Sequence, residues 1–111
     1  PIPGFAGYAA SKRYVLDLTR ALWQETQGTG VRVTAICPGP TQTGFLNRAG
    51  DHGTIPGKRR RPDQVVATAY RALRHDRPAA VDGVVNALQV AVVRLLPVGV
   101  TATVAGRIFR R

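Results

Sequence analysis

A tyrosine and a lysine lie four residues apart near the start of the chain, at Tyr8 and Lys12. In a helix this spacing puts both side chains on one face, within reach of each other. A tyrosine phenol titrates at about pH 10 in water, and a neighbouring ammonium favours the phenolate. Such a pair can exchange a proton with a carbonyl or alcohol oxygen as a general acid or base. The spacing alone is weak, because this pair is common on helix surfaces.

The residues after the pair predict a helix from about 8 to 27. Val15, Leu18 and Leu22 recur at helical spacing, and a polar set falls on another face, namely Arg13, Asp17, Arg20 and Gln24. Gly28 and Gly30 are expected to stop this helix. A second helix is predicted from a cap at Asp63 to about His75, and a third, also apolar on one face, up to about Pro97.

Two short apolar runs, 31–37 and 79–85, predict strands of a parallel sheet that is covered on both faces. Helices alternating with such strands indicate the α/β class. Because a sheet normally needs three or more strands, and because the chain contains no Met, we expect it to be a piece whose further strands precede Pro1.

The segment around Tyr8 reads Pro-Gly-Phe-Ala-Gly-Tyr-Ala-Ala-Ser-Lys, and the first predicted strand ends in Cys-Pro-Gly-Pro-Thr-Gln-Thr, which includes Pro38, Gly39, Thr41 and Thr43. In this order and spacing the two motifs resemble the C-terminal half of the classical short-chain dehydrogenases/reductases. The resemblance covers residues 1–45 closely and continues in layout to about residue 85. It implies the C-terminal portion of a Rossmann-type, doubly wound parallel sheet.

The resemblance also implies an oxidoreductase that uses NAD or NADP to interconvert a small-molecule carbonyl and an alcohol by hydride transfer. Tyr8 would be the general acid or base, and Lys12 would assist it and bind the nicotinamide ribose. The strand end at Pro38 and Gly39 would lie beneath the nicotinamide, where a side chain would collide with the ring. Thr43 would bind the carboxamide, with the backbone of Thr41 as a second contact.

Three elements of that family are absent from the sequence: the glycine-rich turn, an Asn-Ala-Gly segment and the serine that precedes the tyrosine. Ser11 is the only serine in the chain, and we expect it to bond locally. We therefore expect the 111-residue chain alone to bind cofactor poorly and to be inactive. The choice between NAD and NADP is made outside the matching motifs.

The predicted organisation is a Rossmann portion over residues 1–85 and a basic, apolar tail over residues 86–111. Within the first part, residues 41–61 form a predicted loop or lid, in which Phe45 and Leu46 are candidate substrate contacts or simple packing residues. The tail is interrupted by Arg94 and Pro97 and does not read as a membrane span. Packing on the sheet or at a subunit interface is favoured for it, with contact at a membrane surface as the alternative.

Composition narrows the other function classes. One Cys and two His predict neither an internal disulfide nor a metal site. The net charge is +10, and residues 58–111 hold 11 of the Lys and Arg against 3 Asp, yet no nucleic-acid motif accompanies them. We expect a cytoplasmic protein, or one bound peripherally to a membrane, that forms a homo-oligomer at full length. The alternatives are a non-catalytic relative of the dehydrogenases that serves as an oligomerisation or binding module, and a basic binder of membrane surfaces or nucleic acid.

Overall fold

The computed structural model describes residues 1–42 and 59–109. Within these ranges helices alternate with short strands, which gives the α/β class predicted above. The elements in chain order are α1 (Ala6–Glu25), β1 (Ala35–Cys37), α2 (Pro62–Arg74), β2 (Ala79–Val81), α3 (Val84–Leu95) and α4 (Val98–Phe109).

The sheet consists of β1 and β2, which pair in parallel with Ala35 opposite Ala79 and Cys37 opposite Val81. Two parallel strands that follow each other along the chain need a crossover connection, and α2 lies in it. Both α1 and α2 pack against both strands, and α3 packs against β2. The parallel pairing brings the residues that follow each strand, Pro38 and Asp82, to the same edge of the sheet.

Both strands are shorter than the predicted runs. Residues 31–34 have no partner in the described sheet; instead, the Arg32 guanidinium donates to the carbonyl oxygens of Leu73 and Arg74 at 3.3 Å each. These carbonyls end α2 and lack partners within that helix. The second strand stops at Val81 because Gly83, with φ of 86°, turns the chain into α3.

The predicted polar face of α1 is confirmed. Asp17 pairs with Arg13 at 2.7 Å and with Arg20 at 3.2 Å along this face. The helix ends at Glu25, and Gly28 and Gly30 then adopt positive φ values of 79° and 82°. These glycines follow the helix as the sequence predicted.

The start of α2 differs from the prediction. Arg61 is the N-cap and Pro62 occupies the first helical position, whereas Asp63 lies in the first turn and is not the cap. The Gln64 side-chain oxygen accepts from the Arg61 backbone N–H at 3.1 Å, which satisfies the chain just ahead of the helix. Proline favours this first position because its φ is already helical and its missing N–H has no partner there.

Little of the described chain is buried. Among residues 1–42 and 59–109 only Ala72 and Asp82 fall in the buried class, and the apolar face of α1, including Val15 at 54%, remains exposed. Three-residue strands are too small to cover a 20-residue helix. The predicted helix ahead of Pro97 is present as α3, and the apolar stretch after it is a further helix, α4. No helix in the described ranges combines the length and apolarity that crossing a membrane requires.

Candidate functional site

The structure brings Tyr8 and Lys12 together on the first turns of α1. The Lys12 Nζ lies 5.5 Å from the centroid of the Tyr8 ring, a cation–π distance. Tyr8 is 56% exposed, so the described residues do not enclose it in a cleft. Within the described ranges neither the Tyr8 hydroxyl nor the Lys12 ammonium takes part in a hydrogen bond or ion pair with another side chain.

Ser11, inside the same motif, bonds locally. Its hydroxyl donates to the Tyr8 backbone carbonyl at 2.8 Å. This bond lies within one turn of the helix and confirms the expectation of a local partner. The Ser11 hydroxyl proton is therefore used within the helix.

The orientation of α1 follows from a bond at its other end. The Trp23 indole N–H donates to the carbonyl oxygen of Asp76 at 3.0 Å and to its carboxylate Oδ1 at 3.1 Å. Asp76 precedes β2, so the C-terminal end of α1 lies at the amino ends of the strands. Tyr8 and Lys12 lie at the opposite end of α1, away from this anchor.

After β1 the chain from Pro38 to Gln42 is held by backbone bonds. The Arg60 N–H donates to the Pro40 carbonyl at 2.8 Å, and the Gln42 N–H donates to the Arg60 carbonyl at 2.9 Å. In such a parallel bridge the N–H and C=O of Thr41 face away from Arg60. The Thr41 hydroxyl donates to the Gly39 carbonyl at 2.9 Å.

Gly39 has a neighbour that the sequence did not predict. A Cβ at this position would lie 2.6 Å from Cγ of Asn86 and still closer to its Nδ2. The Asn86 amide donates to the Asp82 carbonyl at 2.8 Å, which fixes it over the glycine. In this structure the lack of a side chain at Gly39 makes room for Asn86, whereas the sequence interpretation had assigned that space to a bound ring.

A partly buried ion pair lies beside this strand end. The Arg60 guanidinium donates to both carboxylate oxygens of Asp82 at 3.0 Å, and the Thr68 hydroxyl donates to Oδ1 at 2.6 Å. The bonds from Arg60 hold the pKa of Asp82 below its usual value, against burial and with help from Thr68. The same pair raises the pKa of the Arg60 guanidinium. Sequence reasoning missed this cluster, because Arg60 lies in an arginine run and Asp82 in an unremarkable turn.

Three of the predicted contacts, Thr43, Phe45 and Leu46, lie outside the described residues, together with most of the predicted lid. Two open hollows of about 320 Å³ each lie along α2, and the first is lined by Thr68, Arg71, Ala72, His75, Arg77 and Ala80. Neither contains a predicted site residue. No cluster of metal-ligating side chains occurs among residues 1–42 and 59–109.

Comparison with known proteins matches the first part of the chain. The family model for short chain dehydrogenases matches residues 1–53. Sulfoacetaldehyde reductase 2 of Chromohalobacter salexigens is 49% identical over 45 residues, which are 40% of this chain and 18% of that protein. 2-(S)-hydroxypropyl-CoM dehydrogenase 3 of Xanthobacter autotrophicus is 48% identical over 45 residues, again 40% of this chain and 18% of that protein.

One of the proteins similar to this chain is described as inactive. Inactive 2-(S)-hydroxypropyl-CoM dehydrogenase 2 of Xanthobacter autotrophicus is 40% identical over 47 residues, or 42% of this chain and 20% of that protein. The matched segments span a fifth or less of the length of these relatives. No solved structure matches the chain. The family match and these relatives agree with one another: residues 1–53 of this chain are similar to the short-chain dehydrogenases/reductases.

Proposed function

We propose that the chain is part of an NAD(P)-dependent oxidoreductase that interconverts a carbonyl and an alcohol, with Tyr8 as its general acid or base. The observation that carries this proposal is the position of the Lys12 ammonium 5.5 Å from the Tyr8 ring centroid. The pair lies inside the segment that matches the family, which also contains Pro38 and Gly39.

The groups present suit a nicotinamide dinucleotide. The Lys12 ammonium has donors to spare for ribose hydroxyls, since no described side chain pairs with it. The Thr41 N–H and C=O face away from Arg60 and can bond to an amide group. Asn86 occupies the space over Gly39, so we expect the dinucleotide to approach this strand end from another side.

The chemistry assigned to the chain is a proton transfer. In alcohol oxidation the Tyr8 oxygen accepts the hydroxyl proton while the carbon–hydrogen bond of the substrate breaks. In carbonyl reduction the Tyr8 hydroxyl donates a proton to the oxygen as a new carbon–hydrogen bond forms. NAD(P), when bound, accepts or supplies the hydride. The Lys12 ammonium stabilises negative charge on the Tyr8 oxygen.

The small size of the described sheet is an argument that it belongs to a larger domain. Each described strand pairs on one edge, and large apolar side chains of α1 such as Leu18 and Leu22 stay 44% and 40% exposed. Such surfaces are normally covered by further strands and helices of the same domain. We propose that β1 and β2 are part of a Rossmann-type sheet with more strands than the two described.

The test is Tyr8→Phe in the complete protein, with Tyr14→Phe as the matched control. Both tyrosines lie on α1 and are exposed, at 56% and 67%. We expect Tyr8→Phe to lower nicotinamide-dependent turnover of a panel of aldehydes, ketones and alcohols by a factor of about 100 or more. Binding of NADH or NADPH, followed by fluorescence, should change only a few-fold, and Tyr14→Phe should behave as wild type.

Two results would contradict the proposal. Full turnover in Tyr8→Phe would remove Tyr8 as the proton donor or acceptor. A wild-type protein that binds neither NADH nor NADPH would instead favour the non-catalytic alternative.

A second candidate function is contact with an anionic membrane surface through α3 and α4. Residues 84–109 contain no Asp or Glu, and they include Arg94 and Arg107. Their apolar side chains are widely exposed, with Val84 at 86% and Leu95 at 85%. Apolar surface combined with positive charge favours the interface of an anionic bilayer. Packing against further parts of the protein is the competing explanation.

A further inference from the structure

The buried carboxylate of Asp82 joins three separate parts of the chain. It follows β2, it accepts from Arg60 just ahead of α2, and it accepts from Thr68 within α2. Asp82 has a relative exposure of 0%, whereas the Arg60 side chain keeps 32%. A buried carboxylate is unfavourable unless it is fully bonded, and three side-chain donors satisfy this one.

The backbone of the same residues holds the chain that follows β1. Asp82 donates its N–H to the Cys37 carbonyl at 3.1 Å, at the last residue of β1. Arg60 bonds through its N–H and its C=O to Pro40 and Gln42. The side-chain ion pair therefore connects two backbone attachments, one on each side of Pro38 and Gly39.

Asn86 adds a contact with Gly39. Its amide donates to the Asp82 carbonyl and lies against Gly39 at a distance that no Cβ would permit. The segment 38–42 is thus held at Cys37, Gly39, Pro40 and Gln42 by residues that meet at Asp82.

We propose that Arg60, Thr68, Asp82 and Asn86 form a strand-end clamp that sets the position of residues 38–42 for nicotinamide binding. The clamp residues are positioning residues and do not touch the reacting atoms. This inference rests on the proposed function for its link to the cofactor, but the link between the clamp and residues 38–42 is a property of the protein by itself.

The neighbouring ion pair Arg61–Asp63 is a natural comparison, because it does not hold residues 38–42. It has the same two-bond geometry, at 3.0 and 3.1 Å, but its side chains are 68% and 62% exposed and it contacts no part of residues 38–42 through the bonds described. An exposed pair of this kind contributes little to stability. It supplies a matched control one residue along the chain.

The experiment is hydrogen exchange of individual backbone amides in the protein without cofactor. Two amides report on the clamp: Gln42, which donates to Arg60, and Arg60, which donates to Pro40. In Asp82→Asn the carboxylate that orients Arg60 is replaced by an amide, and we expect exchange at Gln42 to rise about tenfold or more relative to α1 amides, the factor expected from loss of a charge-assisted hydrogen bond. Asp63→Asn should leave both amides unchanged.

Asp82→Asn can lower the stability of the whole protein, so two milder variants accompany it. Thr68→Val keeps the shape of the side chain and removes one donor, and Arg60→Lys keeps the charge but cannot form both bonds. We expect the same amides to respond in both variants, and less strongly than in Asp82→Asn. A general loss of stability would raise exchange across α1 as well, whereas release of the clamp would raise exchange only at Gln42 and Arg60.

The second readout is the dissociation constant for NADH or NADPH beside the thermal midpoint. We expect the variants to weaken cofactor binding in the same order in which they raise exchange at Gln42, and Asp63→Asn to change neither. Unchanged exchange at Gln42 in all three variants would overturn the clamp, even in a protein that binds cofactor well. Raised exchange with unchanged affinity would overturn its role in binding. Lack of binding by the wild type would overturn the proposed function and this role together, and exchange would still decide the clamp.

Discussion

The indole of Trp23 donates to two oxygens of Asp76, the carbonyl at 3.0 Å and Oδ1 at 3.1 Å. Asp76 has a φ of 48°, the left-handed region, and it follows the C-terminal residue of α2 and its cap His75. The Asp76 N–H bonds to the Leu73 carbonyl and the Arg77 N–H bonds to the Ala72 carbonyl, which is a Schellman arrangement. One turn therefore ends α2, starts the approach to β2 and anchors α1.

This turn predicts an ordering of two variants at position 76. Asp76→Gly and Asp76→Ala both remove Oδ1 and keep the backbone carbonyl as an acceptor for Trp23. Only alanine carries a Cβ in the left-handed conformation, so we expect Asp76→Gly to be more stable than Asp76→Ala by about 1 kcal/mol. Urea unfolding followed by the fluorescence of Trp23, the single tryptophan, measures the difference. Equal stability would contradict the left-handed conformation at this residue.

Removal of the indole donor should also be measurable. Trp23→Phe loses both bonds to Asp76 while it keeps an aromatic ring, and we expect a loss of about 1 kcal/mol from the bond with a further contribution from lost contact area. Circular dichroism replaces fluorescence as the probe for this variant. Tyr70→Phe, an exposed aromatic position on α2, is the control and should be neutral.

Gly39 and Asn86 should behave as a coupled pair. In Gly39→Ala the new methyl group would overlap the Asn86 amide, which must move and give up its bond to Asp82; we expect a loss of about 2 kcal/mol. In an Asn86→Ala background the amide is gone, and the same Gly39→Ala change should cost much less. A double-mutant cycle from denaturant unfolding gives the coupling. Strict additivity would mean that Asn86 does not occupy the space over Gly39.

The Arg60–Asp82 pair predicts how stability depends on pH. The folded pKa of Asp82 is held below its unfolded value, chiefly by hydrogen bonds from Arg60, against burial. The pair therefore contributes its full stability above the unfolded pKa of about 3.9, and this contribution disappears as the pH falls through the lower, folded pKa. Unfolding measured from pH 6 down to about pH 2 should show a steeper acid loss in the wild type than in Asp82→Asn.

Asp17 is the control for this acid response. Arg13, and then Arg20, lower its pKa as well, but it lies on the exposed face of α1. Its contribution should shrink when salt is added, whereas that of Asp82 should persist. A salt-sensitive acid loss that Asp17→Asn removes and Asp82→Asn leaves in place would argue against a buried Arg60–Asp82 pair.

Vesicle binding separates the two explanations for α3 and α4. If they contact an anionic bilayer, the protein should sediment with phosphatidylserine vesicles and not with phosphatidylcholine vesicles, and replacing Arg94 and Arg107 by Gln should weaken binding by about 30-fold. Leu95→Ser should weaken it too, whereas Tyr70→Ser on α2 should not. Absence of binding, or equal binding to both vesicle types, would support packing within the protein instead.

The sequence predicted the parts of the structure that depend on local patterns. The spacing of the apolar and polar residues indicated α1, Pro97 marked the end of α3, and two apolar runs contained the strands. The predicted strands were longer than the observed ones, because strand pairing stops where the partner strand ends. No local sequence pattern shows where a partner strand ends. The cap of α2 was misplaced because Asp63 is a common capping residue, yet Pro62 ahead of it prefers the first helical position.

For the candidate site, the sequence predicted Tyr8, Lys12 and the Pro38–Gly39 strand end, and this stays a prediction; it gave no sign of the residues that hold this strand end in place. Arg60 and Asp82 are 22 residues apart and meet only because α2 brings the chain back to the same edge. Asn86 was assigned to the start of a tail, although it lies against Gly39. Long-range contacts of this kind follow from the fold and have no short motif of their own.

Gln42 and Arg60 are joined by a backbone bond, and 17 residues of sequence separate them. Both ends of that stretch are thus fastened at one point of the frame. The entropy of closing such a loop changes only slowly with its length. Insertions and deletions between these two residues should therefore change the stability of the strand end only slightly.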